Sequence, residues 1–142
     1  MRLSAIAIAF GIGPALIVPL LTGSAEAVQD QPMMIGGVET VCTGVGSAKD
    51  NPAWSSYPVK LVFANPAGED LAQVHVAVMQ GGKSVVETDC DAPWVLMKLP
   101  AGSYNVSASA GVSMGKASFV TKGGPQQTVT VMLPQSQSGQ TP

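Results

Sequence analysis

From Val59 onward, short runs of β-branched and apolar residues alternate with clusters of turn formers. Val59–Ala64 is stopped by Asn65-Pro66-Ala67-Gly68. Residues 73–79 put Val74, Val76 and Val78 on one face and His75, Ala77 and Met79 on the other. Gly81-Gly82 is a tight-turn signal, and residues 83–88 read as the returning hairpin strand. Residues 94–99 form a strongly apolar run between Pro93 and Pro100. Residues 103–110 alternate strictly, with Tyr104, Val106, Ala108 and Ala110 against Ser103, Asn105, Ser107 and Ser109. Such a period of two predicts one buried face and one wet face. Runs over 116–121 and 128–133, parted by Gly123-Gly124-Pro125, bring the count to seven. No segment beyond the N-terminal leader repeats apolar residues at i, i+3, i+4 and i+7. The pattern predicts an all-β, seven-stranded antiparallel β-sandwich over residues 57–134.

The first part of the chain reads differently. Met1-Arg2 supplies the charge of a signal n-region, and Ala5 to Leu21 is apolar apart from glycine and proline interruptions. Ala25 and Ala27 then satisfy the small-residue rule for signal peptidase. Residues 1–27 are therefore expected to be a cleaved secretory signal. The competing reading is an uncleaved anchor, but the run is close to the minimum spanning length and carries Pro14 and Pro19. A lipid anchor would need a cysteine just after the run, and the first is Cys42. Residues 28–56 are expected to be an N-terminal extension and Gly-rich loop. Val28 to Ile35 shows no periodicity, and Gly36 to Pro58 carries loop chemistry around Cys42. The polar tail 135–142 is expected to be disordered.

Charge excludes two partner classes. Cleavage would remove Arg2 and Glu26, leaving the formal charge at −2, with only 11% of the chain charged. Six scattered lysines do not make the basic stripe a nucleic-acid binder needs. No basic amphipathic helix is present for a membrane surface, so no membrane insertion is expected after signal cleavage. Export would place Cys42 and Cys90 in an oxidising compartment, periplasmic or secreted, where an even count reads as a bridge. That bridge closes a loop of roughly 50 residues, worth on the order of 4 kcal/mol in the chain-entropy account. The alternative is two buried free thiols.

Leu99-Pro100-Ala101-Gly102-Ser103-Tyr104-Asn105-Val106-Ser107-Ala108 resembles the L-P-x-G-x-Y-x-V-x-A signature of carboxypeptidase regulatory-like domains. These are transthyretin-like, broadly Ig-like β-sandwiches, with small bacterial periplasmic members. Lys60-Leu61-Val62-Phe63, the stretch from Gly68 to Val76 and Asp91-Ala92-Pro93-Trp94 extend the likeness over roughly residues 57 to 133. The resemblance implies a fold more than an activity, and an accessory module more than a catalyst. In it Pro100 ends a strand, Gly102 permits the turn, and Tyr104 sends its ring into the core with its hydroxyl free to bond the neighbouring loop. Two active relatives do not transfer. Transthyretin-like hydrolases use clustered histidines and arginine, whereas beyond the leader this chain has one histidine and no arginine. Pilin-type isopeptide crosslinks need an asparagine on the last strand, and residues 128–133 hold none.

Isolated chemistry is sparse. A general base at His75 would need oriented partners and a zinc site further ligands; a single histidine with paired cysteines assembles no such set, so His75 is expected to be a solvated side chain on a half-exposed strand face. Glu69-Asp70 and Asp89 with Asp91 are loop acids without calcium-loop spacing, and read as turn formers. Gly44-Val45-Gly46-Ser47 neither follows a strand nor opens a helix, so it is no phosphate loop. Asn105-Val106-Ser107 fits a glycosylation triplet but lies inside a predicted strand. Trp94 is either a sugar-stacking platform or, better, a core residue beside the disulfide.

No catalytic residue, metal or cofactor is expected. The sequence reads as a non-enzymatic exported module whose partner is an envelope protein or, as the alternative, a glycan. A small hydrolase is the third reading, to be judged by whether a pocket gathers His75, an acid and a serine. The candidate interaction residues are Trp54 and Tyr57, in the loop from Cys42 to Pro58, because both types are enriched at interface hot spots. Their alternative role is to cap the core. The structural residues are Gly102 and Tyr104.

Overall fold

A computed structural model describes residues 25–26 and 28–134. The expected leader, apart from Ala25 and Glu26, and the expected tail lie outside the described residues. Among the described residues no helix is long and apolar enough to cross a membrane.

The strands are β1 (Ala25–Glu26), β2 (Met33–Ile35), β3 (Val38–Thr43), β4 (Val59–Ala64), β5 (Val74–Gln80), β6 (Lys83–Cys90), β7 (Trp94–Met97), β8 (Gly102–Ala110), β9 (Ser113–Thr121) and β10 (Gln127–Met132). Two single-turn 3₁₀ segments, Gly46–Asp50 and Pro52–Ser56, lie between β3 and β4. One sheet, here sheet A, runs β6-β5-β8-β9, with the two-residue β1 alongside β6. The other, sheet B, runs β10-β4-β7-β3-β2. Among the described residues, nine strands of three or more residues thus replace the expected seven. The seven expected strands are all present, and the two additional ones are β2 and β3.

Those two lie where a flexible terminus and a loop were expected. Gly36-Gly37, at φ +60° and +83°, forms the two-residue turn that joins them, with Ile35 opposite Val38. Only residues tolerant of positive φ close a hairpin this way. Cys42 is therefore on a central-facing strand rather than in a loop. The sandwich is also not wholly antiparallel: β10 pairs with β4 in parallel from Gln127–Val59 to Met132–Ala64. The chain leaves sheet A after β9 and crosses into sheet B at the end where β4 starts, fixed by Gln127 N–H donating to Pro58 O at 2.9 Å. Entry at the same end makes the two strands run the same way.

The core lies between the sheets. Val74, Val76, Val78, Val86, Val106 and Ala108 of sheet A meet Val59, Leu61, Phe63, Val95, Met97 and Val131 of sheet B, all buried. Each large apolar side chain so placed stabilises by roughly 1.5–3 kcal/mol before conformational entropy is set against it. The Cys42–Cys90 disulfide ties β3 of sheet B to β6 of sheet A, across 48 residues of sequence. Tyr104 stacks on Phe119 with ring centroids 5.5 Å apart.

Candidate functional site

The segment between β3 and β4 folds back over the outer face of sheet B. Asn51 caps the second 3₁₀ turn, its side chain accepting from Ala53 N–H at 2.8 Å. Pro52 follows at the first position, where a missing N–H costs nothing. This delivers Trp54 and Tyr57 onto Val41 of β3 and Leu96 of β7, forming a second apolar cluster separate from the core. Trp54 is 7% exposed and Tyr57 2%. The Trp54 indole N–H donates to Ala48 O at 2.8 Å, and Gln126 Nε2 donates to Trp54 O at 2.8 Å. The two aromatics expected at an interface thus cover a sheet face, and their rings have little surface left for a partner.

Tyr57 O–H donates to Glu39 Oε2 at 2.5 Å, and Lys98 Nζ stands 3.6 Å from Glu39 Oε1 and 4.9 Å from the Tyr57 ring centre. The tyrosine bond, opposed by desolvation and helped by Lys98, holds the Glu39 carboxyl below its ordinary range. Burial, followed by the Glu39 contact, pushes the Tyr57 phenol well above its own. Glu39 is therefore a fixed anion against which Lys98 is set.

Beside this triad opens a cleft of about 700 Å³ at one end of the sandwich. Its walls come from separate segments: the Gly36-Gly37 turn, Ser56 and Pro58 at the end of the folded-back segment, Gln80 and Val85 of the β5–β6 hairpin, and Lys98 to Pro100. Val38, Tyr104 and Gly123 complete it. The Tyr104 hydroxyl donates to Pro100 O at 2.7 Å, and burial raises its pKa. Gly102 lies beneath it, where a Cβ would come within 2.6 Å of Gln80 Nε2 and displace that side-chain tip. Leu99, Pro100 and Tyr104, all from the stretch 99–108, thus line the cleft. Sequence reasoning placed Gly102 and Tyr104 as structural and missed Lys98, Gln80 and the glycine turn. The available signal was the pair of glycine doublets, 36–37 and 81–82: each closes a hairpin, and both flank this end.

A shallower groove of about 360 Å³ on the outer face of sheet A is lined by His75, Asp89, Asp91 and Ser109. It gathers a histidine, acids and a serine, but in an arrangement unlike a triad. His75 Nδ1 lies 2.6 Å from Asp89 Oδ1, and Nε2 lies 2.9 Å from Glu87 Oε2. Each ring nitrogen faces a carboxylate, unlike the single-acid pairing of a Ser-His-Asp triad. The Asp89 bond, opposed by desolvation and aided by Glu87, raises the His75 pKa. Among the described residues no group of three or more His, Cys, Asp or Glu is placed to hold a metal.

Trp94 lies on the outer face of sheet B, half-buried. Lys60 Nζ sits over its ring at 3.4 Å, and Gly44 packs so closely on the ring that a Cβ would come within 2.7 Å of Cγ. Desolvation, with the repulsion of Lys49 adding to it and Asp70 opposing it, lowers the Lys60 pKa. Lys60 and Gly44 thus both pack on the indole, which is half-buried and lines a groove with Trp54 and Gln126.

No known protein family and no curated protein matches the chain.

Proposed function

We propose that this chain is a non-enzymatic binding module of the cell envelope, periplasmic or secreted, whose recognition site is the end cleft. The observation that carries the reading is the cleft itself. Its volume lies in the range of ligand sites, and its walls are turns and strand ends mounted on two sheets tied by a disulfide. Loops fixed to a rigid sandwich are a recurrent way of building a recognition surface. The position of His75 supports the non-enzymatic part, since each of its ring nitrogens faces a carboxylate. The Cys42–Cys90 disulfide supports export to an oxidising compartment. Kinship with carboxypeptidase regulatory-like domains belongs to the same proposal, and the bond from Tyr104 to Pro100 supports it.

The test is crosslinking capture from envelope extract with the wild-type protein and Ser56→Trp as paired baits. Ser56 is exposed on the cleft wall, so a tryptophan there fills the opening without entering the core. A protein enriched by wild type and lost with Ser56→Trp is the expected result. Equal enrichment by both baits, or glycan alone, would remove the reading.

A further inference from the structure

We infer that residues 45–56 form a hinged strap over sheet B, latched by the side chain of Trp54, that opens while the sandwich stays folded. From position 45 to position 56 only Trp54 is buried, and every other residue except Ala48 is exposed. The hydrogen bonds of the segment are internal. The Asn51 N–H donates to Ala48 O and the Trp54 N–H to Asn51 O. The Ser55 and Ser56 hydroxyls donate to Pro52 O and Ala53 O, and the indole N–H turns back to Ala48 O. Among the described residues, one bond reaches it from beyond its own ends, from Gln126 Nε2 to Trp54 O at 2.8 Å.

The layers are also not packed along their whole length. A groove of about 170 Å³ runs between them, walled by Lys49, Asn51 and Ser55 of the strap and by Lys60, Trp94 and Leu96 of the sheet. The two ends of the strap differ. Gly46 stands at φ +65° with nothing within 4 Å of where a Cβ would be, so that end has both the backbone freedom and the space to turn. Tyr57 is buried and held by Glu39, so the other end is fixed. One buried ring and one cross-bond set against the conformational freedom of the whole segment place it among elements that open locally. Opening uncovers Val41 and Leu96, which Trp54 covers. Ser56 travels with the strap, so the end cleft has one movable wall, whatever the cleft takes.

The test is thiol labelling of Leu96→Cys, read by mass spectrometry, beside hydrogen exchange of the wild-type chain. A thiol at position 96 lies under the latch and meets reagent only when the strap lifts. Labelling should be nearly independent of dilute urea, whereas exchange of the β7 amides, which requires global unfolding, should rise steeply with it. Trp54→Ala should speed labelling at least about tenfold, and Gln126→Ala about fivefold, the effect of one lost neutral hydrogen bond. In the wild type the Trp54 and Tyr57 amides should be at least about tenfold less protected than those of β7, because turns this short do not persist without packing. Labelling with the urea dependence of β7 exchange would overturn the strap, and labelling no faster with Trp54→Ala would overturn the latch. Should Leu96→Cys not fold, wild-type exchange decides alone: Trp54 and Tyr57 amides as protected as those of β7 would overturn the inference.

Discussion

The Tyr104 hydroxyl donates to the carbonyl of Pro100 at 2.7 Å, so the first inward side chain of β8 holds the turn that leads into it. The ring is fixed from the other side by Phe119. Tyr104→Phe keeps the stack and removes only the bond, leaving a partly buried carbonyl unpaired. The expected loss is about 1–2 kcal/mol, measured as a lower urea midpoint at unchanged slope. An unchanged midpoint would mean that the turn is held by backbone alone.

His75 makes stability depend on pH in a stated direction. Its folded pKa is raised by Asp89 first and Glu87 next. A raised folded value means that the contribution is fully present below the unfolded pKa of about 6.5 and is lost as pH rises through the folded value. Melting temperature should therefore fall across the window from about 6.5 upward, and His75→Gln should flatten that slope. Because the chain has one histidine, its imidazole resonances in an NMR titration are assigned without ambiguity. Asp89→Asn should lower the midpoint more than Glu87→Gln. A midpoint at or below 6.5 in wild type would refute the clamp.

The disulfide joins strands of opposite sheets across 48 residues, and both half-cystines are buried. Replacing both by alanine should cost about 4 kcal/mol by the loop-closure relation, plus what the lost sulfur packing adds. Denaturant unfolding of Cys42→Ala/Cys90→Ala against wild type, and wild type with and without reductant, measures it. Equal midpoints would show that the sheets are held by the core alone.

The parts of this fold visible in the sequence are those where one face is wet. β8 is announced by its serine alternation, and β4 by the turn formers that end it. β2 and β3 escaped because Gly36-Gly37 was weighed as loop composition rather than as a hairpin closure between Ile35 and Val38. The parallel pairing of β10 was not readable, since side-chain alternation is the same for either direction at a sheet edge. The cover over sheet B had a signal in β7: Trp94-Val95-Leu96-Met97 is apolar without a break, which marks a strand buried on both faces. Leu96 therefore implied an outer partner, and Trp54 is that partner. The cleft was legible only in pieces, because Lys98, Ser56 and Gly37 are far apart in sequence and meet only at the end of the folded sandwich.

Gly115 of β9 lies so close to β10 that a Cβ would come within 2.3 Å of Met132 O. A methyl group there meets main chain, which yields less easily than a side-chain tip. The same region is closed by Leu133 N–H donating to Ala64 O at 2.9 Å. Gly115→Ala should therefore push β10 away from β9 and destabilise by about 1–3 kcal/mol, the ordinary range for overpacking. Hydrogen exchange should show faster opening of β10 amides with those of β5 unchanged. Uniform loss of protection would instead mean that β10 is part of the global unfolding unit.

Trp54→Ala separates the cover from the core. The side chain holds the folded-back segment through its packing on Val41 and Leu96 and through its bond to Ala48. Its own carbonyl anchors Gln126. Truncation of a buried tryptophan costs about 3–5 kcal/mol where the surroundings cannot collapse. Here the cluster lies on an outer sheet face with solvent nearby, so the lower end is expected. The core between the sheets shares no contact with the indole, so the sandwich should persist while the segment from Gly46 to Ser56 loosens. Trypsin cleavage after Lys49 should then accelerate well before global unfolding. Because Ser56 and Pro58 form a wall of the cleft, partner binding should weaken together with the protease protection. Loss of binding with Lys49 still protected would place Trp54 in direct contact with the partner, and unchanged behaviour in both assays would mean that the segment is held by its caps alone.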